Sequence, residues 1–236
     1  MRHQGLAMPA KKKNTFSTDE ILLILCKSVT KVLTGATGTN VTYSPVVQRI
    51  TKTSLKPDIG CFVLFDGVFS GIVIMNFTAE SAMEIYNTYM RNMGMPESEL
   101  ASSHSSDEVG NTLGELTNQM VGEFTAAIEH ELLISVNQSQ PKMLAINREV
   151  ALSINANLDN PQGRKVAFKT AGNNTFFIEM AMDKTTFVML EDFDPGDRAN
   201  ADDIIASQNQ KPDQKAKSDA GNDADDLLDS LGIWFA

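Results

Sequence analysis

The spacing of apolar residues predicts three helices along the chain. The first follows Ser17-Thr18-Asp19-Glu20, a capping-box pattern, and is expected over about 18–33 with Gly35 as its stop. A second helix is expected over about 79–93, where methionine and tyrosine recur at helical spacing. The third helix, over about 106–130, is the longest and carries the most informative pattern of polar residues.

Strand-like patterns fill the space between the first two helices and follow the third. Residues 46–53 alternate, 59–65 form a continuous apolar run, and Asp66-Gly67 is a hairpin-type turn before a returning strand at 69–77. Four further strands are predicted at 143–154, 165–170, 176–182 and 186–190. This order predicts an α+β domain, an antiparallel β-sheet with the long helix and a shorter helix packed on one face.

Composition and charge place the boundaries of that domain. We expect a flexible tail at 1–15, the folded domain at 16–191, an acidic flexible linker at 192–221 and an amphipathic peptide at 222–236. The net charge of the chain is −10. From residue 191 onward 12 Asp/Glu stand against 4 Lys/Arg, so −8 of that charge lies in the C-terminal part of the chain. Phosphates would be repelled there, so nucleic-acid binding is disfavoured.

Localisation is predicted from features that the sequence lacks. No apolar run reaches the roughly 18 residues that cross a bilayer, and the basic first residues are not a secretory signal. We therefore expect a cytoplasmic protein without membrane contact.

Cys26 and Cys61 lie in apolar patterns and are expected to be buried free thiols rather than a disulfide. The three histidines are scattered without zinc-ligand spacing, so no metal site is predicted.

The third helix has a narrow polar stripe opposite its apolar one. At 100° per residue, Glu108, Asn111, Glu115, Asn118 and Gly122 fall within about 80° of one another. The apolar residues fall on the opposite side: Val109, Leu113, Leu116, Met120, Phe124 and Ala127. The helix should therefore pack on the sheet with the Glu/Asn stripe facing outward.

A polar helix face is often only a solvated surface, and that interpretation stays open. Two features favour a functional surface. Asn is a poor helix former, and Gly122 costs roughly 1 kcal/mol relative to Ala in a helix interior. One use of that glycine is the close approach of a partner's backbone.

The segment Asn111-Thr112-Leu113-Gly114-Glu115-Leu116-Thr117-Asn118-Gln119-Met120-Val121-Gly122 resembles the signature helix of the CheX and CheC chemotaxis phosphatases. The family pattern is Glu, two residues, Asn, and a Gly four residues later, which Glu115, Asn118 and Gly122 match. The order of elements over roughly residues 17–192 is also similar to CheX. The resemblance implies a CheX/CheC-like fold.

The resemblance also implies a partner and a reaction. The partner would be a phosphorylated CheY-like response regulator, whose aspartyl phosphate is hydrolysed. By the family's pattern Asn118 would orient the attacking water, and Glu115 would pair with a lysine of the regulator. The chain itself would bind no cofactor, and Mg²⁺ is expected on the partner.

Several alternatives accompany this resemblance. Glu108 and Asn111 repeat the Glu-x-x-Asn spacing without the glycine and are secondary candidates. The connection at 93–107 could shield the stripe, which would favour a non-catalytic CheC-like adaptor that binds response regulators or the flagellar switch. CheX-like domains can pair through their sheets, so a homodimer is expected.

The last segment resembles a second chemotaxis protein. Asp225-Asp226-Leu227-Leu228-Asp229-Ser230-Leu231-Gly232 is similar to the peptide by which CheZ, an unrelated phosphatase, binds CheY. Leu227, Leu228, Leu231 and Trp234 would form one face of a short helix that orders on a partner. The alternative is that this peptide docks on its own domain.

Overall fold

The computed structural model describes residues 15–56, 58–145, 152–153 and 161–188. The predicted linker at 192–221 and the predicted partner-binding residues Leu227, Leu228, Leu231 and Trp234 lie outside these ranges. What the sequence predicts for them stays a prediction.

The first helix, α1 (Thr18–Thr37), begins as predicted and ends later. The backbone N–H of Ser17 donates to Oε2 of Glu20 at 2.6 Å, which confirms the capping box. The helix passes through Gly35 and stops at Gly38, which has a left-handed φ of 66°. Gly35 was therefore the wrong stop, because Thr37 is still buried and the chain leaves the core only after it.

The other helices of the described residues are α2 (Ala79–Asn92) and α3 (Asp107–Leu132), with a short 3-10 turn between them. The Thr78 side chain accepts from the Ser81 N–H at 3.2 Å, and Ser106 accepts from the Val109 N–H at 3.4 Å. Both helices therefore start at hydroxyl caps. The third helix extends two residues beyond the predicted His130, since Leu132 still packs against the core.

Within the described residues, one antiparallel sheet has seven strands, which are β2 (Thr42–Ile50), β4 (Ile59–Gly67), β5 (Gly71–Phe77), β6 (Val136–Gln138), β7 (Lys142–Ala145), β9 (Pro161–Lys169) and β10 (Thr175–Asp183). Six of them follow the order β2-β9-β10-β5-β4-β6. The seventh, β7, pairs with another part of β4. Two short pairs lie outside this sheet and consist of β1 (Thr15–Ser17) with β11 (Thr186–Val188), and β3 (Ser54–Leu55) with β8 (Leu152–Ser153).

The helices cover one face of the sheet. The long helix and a shorter one were predicted on this face, and α1 lies there as well. Alternate residues of β4, such as Cys61, Val63 and Phe65, share one core cluster with residues of all three helices. The opposite face holds a smaller cluster in which Leu55 packs on Ile72, Ile74 and Ala181. None of the helices in the described ranges is long and apolar enough to cross a membrane.

Both cysteines are buried and free, which confirms that expectation. Burial raises the pKa of the Cys26 thiol to about 12. Burial also raises the pKa of Cys61 to about 12, against the lowering effect of hydrogen bonds from Thr117 and the Lys142 backbone. Both thiols are therefore protonated and inert in the folded protein at neutral pH.

Among the described residues, the three short strands β1, β3 and β6 were not predicted, and β6 matters for the site. The predicted strand at 143–154 appears in the described residues as β7 and β8, with residues 146–151 between them outside the description. The strand β6 has only three residues, Val-Asn-Gln, too few to show an apolar alternation. It is a strand because its residues pair with Phe65–Gly67 of β4.

Candidate functional site

The two faces of α3 separate as the helical wheel predicted. Val109, Leu116 and Met120 are fully buried against the sheet. On the other side Asn111 and Glu115 are exposed. The remaining stripe residues Glu108 and Asn118 are exposed as well. The stripe is therefore available to a partner from outside the domain.

A groove of about 420 Å³ runs along this stripe. One side of the groove is formed by α3, and the other by β7 and the chain that joins β6 to it. The lining residues are Gly110, Asn111, Gly114, Glu115 and Asn118 from α3, with Gln140, Pro141 and Met143 opposite them. The groove thus brings together Asn111, Glu115 and Asn118, whereas Glu108 and Gly122 are not among its lining residues.

The β6–β7 segment lines the groove opposite α3, and no residue of the 93–107 connection is among the lining residues. Met143 of β7 packs at Gly114, where an added Cβ would lie 3.3 Å from the Met143 Cγ. Such a contact is tight, so the missing side chain lets β7 approach α3 closely. The close neighbour of this glycine is thus the strand β7.

Asn118 is held by a residue that sequence reasoning missed. Nε2 of Gln138, the last residue of β6, donates to Oδ1 of Asn118 at 3.0 Å and lies 3.5 Å from its backbone oxygen. The other amide atom of Gln138, Oε1, is buried and has no hydrogen-bond partner among the described residues. Nothing in the local sequence marks Gln138, since the contact joins residues 20 positions apart.

Glu115 is hydrogen-bonded within its own helix. Nε2 of Gln119 donates to Oε1 of Glu115 at 3.0 Å, an i to i+4 contact on the exposed surface. Glu115 lies one turn before Asn118, so both side chains project from the same side of α3. A partner that enters the groove would meet a carboxylate and a carboxamide together.

Strand pairing places Gln138 at this point. Ser139 anchors the end of β6, since its N–H donates to the Leu64 oxygen at 2.8 Å and its hydroxyl accepts from the Leu64 N–H at 3.0 Å. The start of β6 passes so close to Gly67 that an added Cβ would lie 2.5 Å from the Ser135 oxygen. The glycine of the predicted Asp66-Gly67 turn is therefore needed for the approach of β6.

Gly122 faces β6 of its own chain. It is half-buried, and an added Cβ would lie 3.9 Å from Nε2 of Gln138, an ordinary contact distance. The close approach of a partner at Gly122 stays a prediction, since the groove lies nearer to Asn118. No three His, Cys, Asp or Glu side chains come together as a metal site in the described part of the chain.

Comparison with solved structures identifies the fold class. The structure is similar to the chemotaxis protein CheX from Desulfovibrio desulfuricans, with 18% identity over 70% of this chain and 99% of that chain and a TM-score of 0.57. It is also similar to a CheC-like superfamily protein from Shewanella sp. PV-4, with 17% identity, coverage of 71% and 99% and a TM-score of 0.57. The domain therefore has a CheX/CheC-like fold.

A third similar structure is CheX of Borrelia burgdorferi in a CheX–CheY–BeF3–Mg²⁺ complex, with 14% identity, coverage of 70% and 98% and a TM-score of 0.52. By sequence the chain belongs to the family described as "Protein of unknown function (DUF3334)", whose profile matches residues 12–233. That range includes Leu227, Leu228 and Leu231 and ends one residue before Trp234. A search of curated proteins finds no match.

Proposed function

We propose that this protein hydrolyses the aspartyl phosphate of a CheY-like response regulator in a chemotaxis or related two-component pathway. The proposal rests on one observation, the placement of Glu115 and Asn118 one turn apart in an open groove on α3. The CheX/CheC-like fold supports it. The Borrelia burgdorferi CheX supports it further, since it has this fold and is complexed with CheY in the presence of BeF3 and Mg²⁺.

The proposed reaction is an in-line displacement at phosphorus. A water oxygen forms the new bond to phosphorus while the bond to the regulator's aspartyl oxygen breaks and its electron pair stays on that carboxylate. The water's proton leaves with the inorganic phosphate. Mg²⁺ on the regulator would neutralise charge on the phosphoryl oxygens.

The residues of this chain would contribute position and charge. The carboxamide of Asn118 can donate and accept hydrogen bonds, so it can hold a water at the phosphorus. The carboxylate of Glu115 would pair with a lysine of the regulator and fix the docking angle. Such a division suits phosphoryl transfer, which depends on positioning and electrostatics more than on a covalent intermediate.

The direct test is the lifetime of the phosphoryl group on candidate regulators. Wild-type protein should shorten it, and Asn118→Ala should reduce that effect by about 10²–10³-fold, by analogy with the loss of one hydrogen-bond donor at other active sites. Binding of the variant to the regulator should persist. Asn137→Ala is the matched control, because Asn137 is exposed on β6 and is not among the groove residues. Full activity of Asn118→Ala would refute the proposal.

A non-catalytic adaptor is the second candidate, and the length of the groove favours it. The groove continues one turn or more beyond Glu115 to Asn111 and Gly110, further than a single water-positioning site requires. Pro141 and Met143 give it an apolar wall that suits docking. An adaptor would bind the phosphorylated regulator without changing the lifetime of its phosphate.

The predicted peptide at 222–236 offers a further test of the adaptor. Its removal should then abolish most of the affinity, while a catalytic domain would retain hydrolysis at high regulator concentration. Trp234 is the one tryptophan of the chain. Its fluorescence should change on addition of regulator where the peptide docks on the partner, and stay constant where it does not.

A further inference from the structure

We infer that Gln138 is a positioning residue that holds the carboxamide of Asn118 in one orientation for the attack of water. This inference rests on the proposed function, and it adds a residue from outside the signature helix. The contact that carries it is the 3.0 Å hydrogen bond from Nε2 of Gln138 to Oδ1 of Asn118.

An exposed asparagine on a helix needs such a restraint. Asn118 stands on the solvent side of α3, where an unrestrained side chain samples several χ1 and χ2 states. A water-positioning group must hold one geometry, since small misplacements cause large losses in rate. The Gln138 bond supplies the restraint from an element other than the helix that carries Asn118.

The bond leaves Asn118 able to act. A carbonyl oxygen has two lone pairs, so Oδ1 can accept from Gln138 and from a water together. Among the described residues, Nδ2 of Asn118 has no hydrogen-bond partner, and its two protons stay available to the water or a phosphoryl oxygen. Gln138 therefore fixes the carboxamide without using up its hydrogen-bonding capacity.

Gln138 is itself held firmly enough for this role. Its backbone pairs with Phe65 of β4, and the next residue, Ser139, makes two hydrogen bonds to Leu64. Its own Oε1 is buried and has no partner in the described part of the chain, so folding has removed this polar atom from water without compensation from a described residue. An uncompensated buried acceptor beside a candidate site is the kind of cost that a functional role explains.

Two variants distinguish a positioning role of Gln138 from a purely structural role. Gln138→Ala removes the amide, and Gln138→Glu keeps the length of the side chain but replaces the donor by an acceptor-only carboxylate. Both should lower kcat for regulator dephosphorylation by about 10-fold to 100-fold, with KM nearly unchanged. Asn137→Ala, on the neighbouring position of β6, should leave both constants as in wild type.

A second readout does not depend on catalysis. NMR couplings of the Asn118 side chain should report a single χ1 rotamer in the wild-type protein and an averaged one in both Gln138 variants. A variant that raises kcat would show that Gln138 blocks the site, and unchanged kcat would show that it has no role. Either result would overturn the inference, as would rotamer averaging in the wild-type protein.

The two readouts also distinguish failure of the inference from failure of the proposed function. A wild-type protein that leaves every phosphate lifetime unchanged refutes the phosphatase, while the rotamer measurement still decides whether Gln138 positions Asn118. An active wild type with fully active Gln138 variants refutes the positioning role alone.

Discussion

Glu84 on α2 and Glu115 on α3 are glutamates on two helices of the same layer, but their surroundings differ. Glu84 is half-buried and accepts hydrogen bonds from Thr170 Oγ1 at 2.5 Å, the Gly172 N–H at 2.7 Å and Asn174 Nδ2 at 2.7 Å. All three donors belong to the turn between β9 and β10. Glu115 is exposed and accepts one hydrogen bond, from its own helix, among the described residues.

The difference shows how to separate a structural carboxylate from one available to a partner. A carboxylate has room for about four hydrogen bonds. At Glu84 three of these positions are occupied by donors of the same fold, so this residue connects a hairpin turn to a helix. Glu115 can still accept most of its hydrogen bonds, and its side chain faces a groove rather than another element. The residue type alone does not distinguish the two.

The largest expected effect is on stability, at Glu84. Glu84→Ala should lower the free energy of unfolding by about 2 kcal/mol, because three donors lose a charged acceptor and part of that loss is recovered by water at the exposed Gly172. Glu115→Ala should change it by less than about 0.5 kcal/mol. Urea denaturation of both variants tests the contrast, and similar losses at the two sites would contradict it.

The second effect concerns affinity and should appear only at Glu115. Glu115→Gln keeps the shape and removes the charge, and it should weaken regulator binding by about 3-fold to 10-fold, as loss of an exposed ion pair does. The deficit should shrink at high salt, because salt screens the lost attraction. Glu84→Ala is the control and should bind normally while folded. A Glu115→Gln deficit that is independent of salt would refute the ion pair.

The two walls of the groove differ in how far the amino-acid sequence predicts them. The stripe of α3 followed from the 3.6-residue period, because Glu115 and Asn118 lie on one helix whose register is set by its buried side. Its orientation toward solvent followed for the same reason. The order of helices and long strands was also predictable from local apolar patterns, together with the capping box at Ser17.

The opposite wall of the groove was not predictable, since it comes from tertiary pairing. Three residues of β6 carry no periodicity, and their strand state depends on the free edge of β4. Gln138 reaches Asn118 only through that pairing. Spacing also gave Glu108 and Asn111 as secondary candidates, whereas of these two only Asn111 lines the groove beside Glu115 and Asn118.

A smaller effect is expected at Gln119, the one described partner of Glu115. Helix-surface pairs of this spacing contribute about 0.2–0.5 kcal/mol, so Gln119→Ala should lower stability by no more than that. If Gln119 competes with the regulator for the carboxylate, the same variant should bind the regulator up to about twofold more tightly. Calorimetric titration can measure this change. Weaker binding would mean that Gln119 orients Glu115 instead of competing for it.

The smallest effect is expected at Asp66, a carboxylate between the two extremes. It is exposed, yet it accepts from the Ser70 hydroxyl at 2.5 Å and the Gly67 N–H at 2.9 Å. These two hydrogen bonds hold the pKa of Asp66 below its usual value. The pKa of Asp66 is lower in the folded protein than in the unfolded chain. The ionised carboxylate therefore stabilises the fold at pH values above the unfolded-state pKa, and this contribution is lost as the pH falls through the folded-state pKa.

Asp66→Asn should therefore be slightly less stable than wild type at neutral pH, and the gap should narrow as the pH falls and the Asp66 carboxylate of the wild-type protein is protonated. Urea midpoints measured from neutral to acidic pH test this expectation. A gap that stays constant would mean that the side chain acts through shape rather than charge. Since Gly67 of the same turn lets β6 approach β4, and β6 carries Gln138, the Asp66 variant also tests whether loosening this turn disturbs Asn118. Unchanged phosphate hydrolysis in Asp66→Asn would show that the turn and the groove are energetically separate.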